Sequence, residues 1–467
     1  MLPLVEIPEL VQHYTPFFQG VFSQQALIEF QRYISGLIVS ENKTIEGINR
    51  LFVVESRNQS SLNRLLTASP FSLEELNQAR LQLLASLPGT AIKAKGVLSI
   101  DDTLLPHSGQ EFEQIAKLYD PVKKTYVWAH NLVTLHYSDD ECDYPLLFRL
   151  WKPVELEKLE GGMRAAGIPF KPDKEAWKTS DPKKWRRYLL RAWKRRQKAF
   201  PQIAELYDSK LSLAQQLLQE WVGLHPGQEF VVTFDDWYTE ADFCQFIERS
   251  LGLAYVGTLN GKKQIHLQTG KESLQAFAER LKREHQSGQT VFHKISIPYK
   301  GGRESYYTYC HNHQLAHFGK QRLVINHRKP DLSDEPAFFI SNRLYWGAEG
   351  ITRIRRHRWP VEVYHEEGKA EGLDKYQLRD FGAIERHIAL VAVVYSMLRA
   401  AQHDPSLHDK LQRQLELNLE GSLPDWRRLT QAQVLWCLGL FISAALARGQ
   451  PLLEVMAPLM RAMCRKG

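Results

Sequence analysis

Residues 353–379, RIRRHRWPVEVYHEEGKAEGLDKYQLR, set an arginine, a glutamate and a lysine, Arg358, Glu362 and Lys369, at spacings of four and seven. An α-helix turns about 100° per residue, so Glu362 and Lys369 fall about 20° apart and leave one face together. Arg358 joins them at about 40° if the helix already runs there. Pro360 decides where it starts: proline donates no N–H and disfavours the helical region at the residue before it. The pattern therefore predicts a helix beginning near Trp359, with Arg358 in its entry turn. Glu362 then lies close to a helix N-terminus, where a negative charge is favoured. The alternative reading is a solvated amphipathic helix laced by i,i+4 charge pairs.

Two carboxylate sites upstream weigh against that alternative. The apolar run 97–100 reads as a short strand ending in Asp101, Asp102 and Thr103, and the run 230–234 as a second strand ending in Asp235, Asp236, Trp237 and Tyr238. A carboxylate at the end of a buried strand is costly unless it is paired or binds a cation. At the first site the local alternative is an Asx turn, and Asp102 and Thr103 are expected to serve as local hydrogen-bonders beside a functional Asp101. At the second, Asp235 is the expected functional residue and Asp236 its runner-up.

Arg358, Trp359, Val361, Glu362, Lys369, Gly372, Leu373, Tyr376 and Arg379 together resemble the tyrosine/arginine/glutamate/lysine signature of the DDE transposases of bacterial insertion sequences. The Ile-Asp-Asp-Thr run and the aspartate three residues before Tyr238 are similar to that family's first and second catalytic motifs. The signature tyrosine is absent, its place being taken by Arg355. The resemblance implies an α/β fold: an RNase H-like mixed five-stranded sheet with flanking helices, interrupted by a β-rich insertion and framed by helical N- and C-terminal regions. It implies that Asp101, Asp235 and Glu362 are the catalytic, metal-binding carboxylates and that Arg358 and Lys369 hold DNA phosphates. The implied cofactor is a pair of Mg²⁺ ions, or Mn²⁺ in their place. Hard cations of this kind take carboxylate oxygens, and two of them roughly 3.5–4 Å apart activate an oxygen nucleophile and stabilise the leaving oxygen. Asp101 would bridge the ions, with Asp235 on one and Glu362 on the other.

The implied activity is that of a DNA transposase that cuts at the ends of a mobile element and transfers the strand into target DNA. The implied partners are the element's terminal inverted repeats and the target DNA, with a homodimer in the end complex. Two other readings stand beside it: a metal-dependent nuclease on the same scaffold, and a domesticated DNA-binding protein without catalysis. The long β-rich insertion favours the first reading over a simple nuclease.

Taken in chain order, residues 1–90 carry apolar residues at helical spacing, with Ser72 and Glu75 as a capping pattern. They read as a helical domain that the resemblance implies is DNA-binding, a purely structural bundle being the other reading. Residues 91–260 read as the first part of the core, containing a basic helical segment at 171–222. Residues 261–345 read as the β-rich insertion, 346–400 as the last part of the core with the catalytic helix, and 401–467 as a helical C-terminal region. Within the basic segment, residues 183–198 hold nine basic side chains and no acidic one. Lys183, Lys184, Arg186, Arg187, Lys194, Arg195 and Arg196 are expected to lie along DNA phosphates, while Trp185 and Trp193 are expected to be core. In the insertion, Cys310, His311, His313 and His317 crowd together at spacings that fit no usual zinc site.

Composition agrees with a folded nucleic-acid-binding protein. The chain has 467 residues, 43% of them hydrophobic, and 60 basic against 53 acidic residues give a net charge of +7. Five scattered cysteines without CxxC spacing suit a reducing compartment. The first residues lack the basic and apolar regions of a signal peptide. The apolar runs 388–401 and 434–447 are short for a bilayer span and read as core helices. These readings give a cytoplasmic, nucleoid-associated protein with no membrane partner.

Overall fold

The apolar run at 97–100 opens strand β1 (Val97–His107), around which a large mixed sheet is assembled. The computed structural model describes residues 2–54, 57–268, 270–299, 301–417 and 421–464. The next strands are β2 (Ala116–Asp120), β3 (Thr125–Ser138) and β4 (Asp143–Trp151), followed by β5 (Val231–Phe234) and β6 (Ala254–Leu259). β3 runs antiparallel to β1 along its whole length, from Val97↔Ser138 to His107↔Trp128. β2 and β4 pair with successive halves of β3. β5 is parallel to β1 and β6 is parallel to β5.

The sequence suggests five strands, and these lie in the order β4-β3-β1-β5-β6, but the sheet does not stop there. Strands β7 (Gln264–Leu267), β8 (Gly270–Ser273), β9 (His293–Tyr299), β10 (Gly302–Leu315), β11 (Gly319–His327) and β12 (Ala337–Ser341) continue it to twelve. The junction is β12, which pairs antiparallel with β6 from Ser341↔Val256 to Phe338↔Leu259. Without β12, β6 would present an open row of N–H and C=O groups. The β-rich stretch is thus an extension of the same sheet. Within it, the helix Leu274–Gln286 follows β8 directly, with Ser273 capping it by accepting from the Ala276 N–H at 3.2 Å.

The helix Phe381–Gln402 is apolar on nearly every side and correspondingly buried. It packs against β4 and the helices Gln24–Val39, Gln59–Thr67, Leu73–Ala85 and Leu423–Ala447. The N-terminal helices therefore share one hydrophobic core with the sheet. Ser72 caps the Leu73–Ala85 helix, accepting from the N–H groups of Glu74 and Glu75 at 3.2 and 3.3 Å. The second apolar segment departs from expectation. Helix Leu423–Ala447 is not a core helix throughout, for Leu435, Trp436, Leu440 and Leu446 are exposed. Both this helix and Phe381–Gln402 are also longer than their apolar runs, long and apolar enough to cross a membrane by length and composition.

The helix Trp359–Ala370 and the turn after it are tied to this core by His387. Its Nδ1 meets the Tyr33 hydroxyl at 2.7 Å and its Nε2 the Gly372 carbonyl at 2.8 Å. Gly372 has φ +105°, a conformation open to glycine, and ends the preceding helix as the Leu373 N–H turns back to the Gly368 carbonyl at 2.8 Å. Burial pulls the His387 ring from 6.5 down to about 4, so the fold holds it neutral. The unfolded chain takes up this proton below 6.5 and the fold only near 4. The group's contribution is complete above 6.5 and is lost as pH falls through that window. It should remove about 3 kcal/mol of stability between pH 7 and pH 4. Urea unfolding of His387→Gln should show lower stability at pH 7 and a flatter dependence on pH, and an unchanged slope would remove His387 as its source.

Candidate active site

Asp101 lies within a strand, where the sequence places it at a strand end. β1 continues to His107 because β3 pairs with it throughout, while its parallel neighbour β5 ends opposite Ile100. Beyond Ile100, β1 has a free edge on that side, which is where Pro106 is tolerated. The chain leaves β5 at Asp235, so Asp101 and Asp235 stand side by side at a notch where one parallel strand has stopped. Carboxyl ends of parallel strands beside a change of sheet direction are where ligands settle in α/β folds.

Each aspartate is held by its surroundings. Asp101 accepts the N–H of Asp102 at 2.8 Å and an Nη1–H of Arg358 at 2.9 Å. Burial pushes its carboxyl up to about 7 against the pull of Arg358, with Asp235 and Asp102 adding to the rise. Asp235 accepts the N–H groups of Trp237 and Tyr238 at 3.0 and 3.1 Å. Burial also raises its pKa. Its neighbour Asp236 points into solvent.

The helix Trp359–Ala370 begins where Pro360 requires, with Arg358 as its N-cap residue. It packs across β1, β3 and β4. Arg358 and Glu362 form an i,i+4 pair through Nη2 and Oε1, and the same guanidinium reaches Asp101. Lys369 extends from the same helix to the Thr103 hydroxyl at 2.9 Å, and burial lowers its pKa. Glu366 is exposed. A cleft of about 870 Å³ runs beside the aspartates, lined among others by Asp101, Asp102, Asp235, Trp237, Lys210 and Lys369.

Asp102 is more than a local hydrogen-bonder. As the next residue of β1 it faces away from Asp101. Its carboxylate accepts from Asn131 Nδ2 at 2.6 Å, from Lys210 Nζ at 2.9 Å to both oxygens, and from the Tyr238 hydroxyl at 2.9 Å. Lys210 also lies over the Trp237 ring, 4.0 Å from its centroid. Asp102 thereby anchors the turn that presents Asp235. Lys210 and Asn131 carry no sequence signal for this role, whereas the Asp-x-x-Tyr spacing does mark Tyr238. Arg355 also belongs to the site. Its guanidinium stands 5.6 Å from the Phe339 ring centroid and its buried Nε has no hydrogen-bond partner. Burial pulls it down to about 9, with Arg358 adding to the fall and Asp235 and Asp101 opposing it.

The basic segment 183–198 forms the helix Pro182–Arg196 and the turn after it. Trp185, Leu189 and Trp193 face inward to a small core of their own with Leu159, Met163 and Ile203. The exposed basic residues include Lys183, Lys184, Arg186, Arg187, Arg195 and Arg196. Acids from elsewhere meet part of this charge: Lys194 pairs with Glu240 at 2.5 Å and Lys198 with Asp242 at 3.2 Å.

The donor set suits a hard divalent cation in its chemistry but is incomplete in its geometry. Asp101 and Asp235 adjoin, while Arg358 engages Glu362 and Asp101 at once. Among the described residues no group of three or more His, Cys, Asp or Glu side chains stands close enough together to hold a metal ion.

No curated protein matches the chain. Among solved structures, the chain is similar to piggyBac transposase in its cryo-EM synaptic complex with hairpin DNA, with a TM-score of 0.43 and 10% identity, over 88% of this chain and 71% of that one. The family described as DDE superfamily endonuclease matches residues 16–276, a span that holds Asp101 and Asp235 and ends before Glu362. With more than half of its length matched, this chain belongs to the DDE superfamily endonuclease family.

Proposed function

We propose that this protein is a transposase of the bacterial insertion-sequence type, which cuts DNA at the ends of a mobile element and joins the freed 3′-OH to target DNA. The observation that carries the reading is the pairing of Asp101, at the point of β1 where its parallel neighbour β5 has stopped, with Asp235 at the end of β5, under a helix presenting Arg358, Glu362 and Lys369. The β4-β3-β1-β5-β6 order, an antiparallel meander followed by two parallel strands, supports an RNase H-like core. Asp101, Asp235 and Glu362 would hold Mg²⁺, which when bound supplies charge stabilisation at the reacting phosphate. The remaining roles belong to side chains. Lys369 would bind a phosphate oxygen near the reacting one, and Asp102, through Tyr238 and Lys210, keeps Asp235 in place. A homodimer on paired ends in the cytoplasm, bound to the nucleoid, completes the proposal.

The test is incubation of the protein with DNA carrying its element's inverted repeats, Mg²⁺ and a target plasmid. Nicked ends and joined products are expected. Cutting without joining would identify a nuclease, and binding without either a domesticated DNA-binding protein.

The basic helix supplies a second measurable expectation. Arg195 and Arg196 are exposed, whereas Lys194 is already engaged by Glu240. The double variant Arg195→Ala/Arg196→Ala should weaken binding to all duplexes alike and reduce the log–log salt slope by about 0.9 per lost phosphate contact. A slope equal to that of the unaltered protein would show that this face is merely solvated.

A further inference from the structure

Arg358 is a cation held where the proposed metal would need to be. Its side chain is 9% exposed, and its two terminal nitrogens go to carboxylates from different parts of the chain: Nη1 to Asp101 at 2.9 Å and Nη2 to Glu362. Its remaining nitrogen, Nε, is buried without a hydrogen-bond partner. The guanidinium thus neutralises two of the three proposed metal ligands, Asp101 and Glu362. A divalent cation and this guanidinium cannot both bridge Asp101 and Glu362.

A phosphodiester is a good competitor for the same guanidinium. Its two anionic oxygens accept from the planar fork in parallel, and such charge-assisted pairs are strong. Drawing Arg358 onto a phosphate would strip Asp101 and Glu362 of the guanidinium that pairs them, and carboxylates that lose a counter-charge favour a divalent ion in its place. Arg355, at the end of the preceding helix and with its Nε short of a partner, faces Asp101 and Asp235 and adds to the positive charge that a phosphate would meet.

We propose that Arg358 is a latch on the metal site: in the DNA-free protein it takes the place of the divalent cation between Asp101 and Glu362, and a DNA phosphate releases it, so that metal and DNA bind cooperatively. The inference rests on the metal-site reading above. Linkage requires that the coupling be mutual, with DNA raising metal affinity by the factor by which metal raises DNA affinity, commonly about 5–150-fold. Such a latch would keep a nuclease unloaded when no DNA is in the cleft.

The experiment measures Mn²⁺ binding to the full-length protein by electron paramagnetic resonance, with and without a short duplex, so that no turnover is read. Unaltered protein should bind Mn²⁺ weakly alone and at least about 10-fold more tightly with DNA. Arg358→Gln should bind tightly without DNA and gain little from adding it. Arg358→Lys, which keeps the charge but cannot bridge two carboxylates, should fall between and serves if the glutamine variant does not fold. Arg353→Gln removes a positive charge from the preceding helix, where Arg353 pairs with Asp140 at 2.9 Å, and should leave Mn²⁺ affinity unchanged. Adding Asp101→Asn to Arg358→Gln should abolish the gain. If Asp101-dependent Mn²⁺ binding appears with DNA but Arg358→Gln and Arg358→Lys match the unaltered protein, the latch is wrong and the metal-site reading stands. If no sample shows Asp101-dependent binding, both fall.

Discussion

Asp101→Asn, Asp235→Asn and Glu362→Gln are each expected to lower Mg²⁺-dependent cleavage of end-containing DNA by about 10³-fold or more, while DNA binding persists. Each change keeps the side chain's size and removes the charge a divalent cation requires. Metal stabilisation of a reacting phosphate is worth several kcal/mol, and about 4 kcal/mol is a thousandfold in rate. The neighbours make good controls because they share local sequence and differ in direction. Asp236 and Glu366 are exposed, and Asp236→Asn and Glu366→Gln should keep most activity. Asp102 is not such a control, since its carboxylate joins Asn131, Lys210 and Tyr238. Full cleavage by any of the first three variants, measured on labelled DNA with binding checked by gel shift, would remove that residue from the site.

The largest effect on stability is expected at Arg399. Asp143 opens β4 with its side chain 2% exposed, and both of its oxygens accept from Arg399 Nη2 at 3.1 Å. The Tyr395 hydroxyl donates to the same carboxylate at 3.0 Å and accepts from Arg399 at 2.8 Å. Arg399→Ala would leave a buried carboxylate without its guanidinium, which costs about 3–5 kcal/mol. The Lys198–Asp242 pair is a useful contrast, being 85% and 63% exposed; Lys198→Ala should change stability by less than about 0.5 kcal/mol. Urea unfolding at neutral pH distinguishes the two. Equal effects would mean that the buried pair is relieved by local rearrangement.

The features legible in the sequence were those set by short-range physics. Pro360 constrains its own φ and the residue before it, so the start of the helix at Trp359 could be read directly. The helical period put Trp185 and Trp193 on one face, and both are buried. The apolar runs before Asp101 and Asp235 marked two strands because a buried strand needs such a run wherever it pairs. What a strand pairs with is a separate matter. Nothing in residues 102–107 announces that β3 carries β1 onward after β5 has stopped, and it is this mismatch of lengths that opens the notch. The merging of the β-rich stretch into the sheet likewise depends on β12 meeting β6. For the helix Leu423–Ala447, composition gave its apolar character, but whether each side is covered depends on neighbours, and Trp436 and Leu440 stay 47% and 53% exposed.

The same division holds within the site. The four-residue spacing that brings Arg358 to Glu362 is a property of one helix and was visible in the chain. Asp101 as that arginine's second partner, Asp102 as the junction of Asn131, Lys210 and Tyr238, and Arg355 beside the carboxylates all join segments far apart in sequence. Sequence by itself determined which side chains able to do this chemistry exist and which way each leaves its own element, because backbone dihedrals and periodicity act over a few residues. Tertiary structure alone decided which of them meet, because burial and strand pairing select among distant partners that local geometry leaves equivalent.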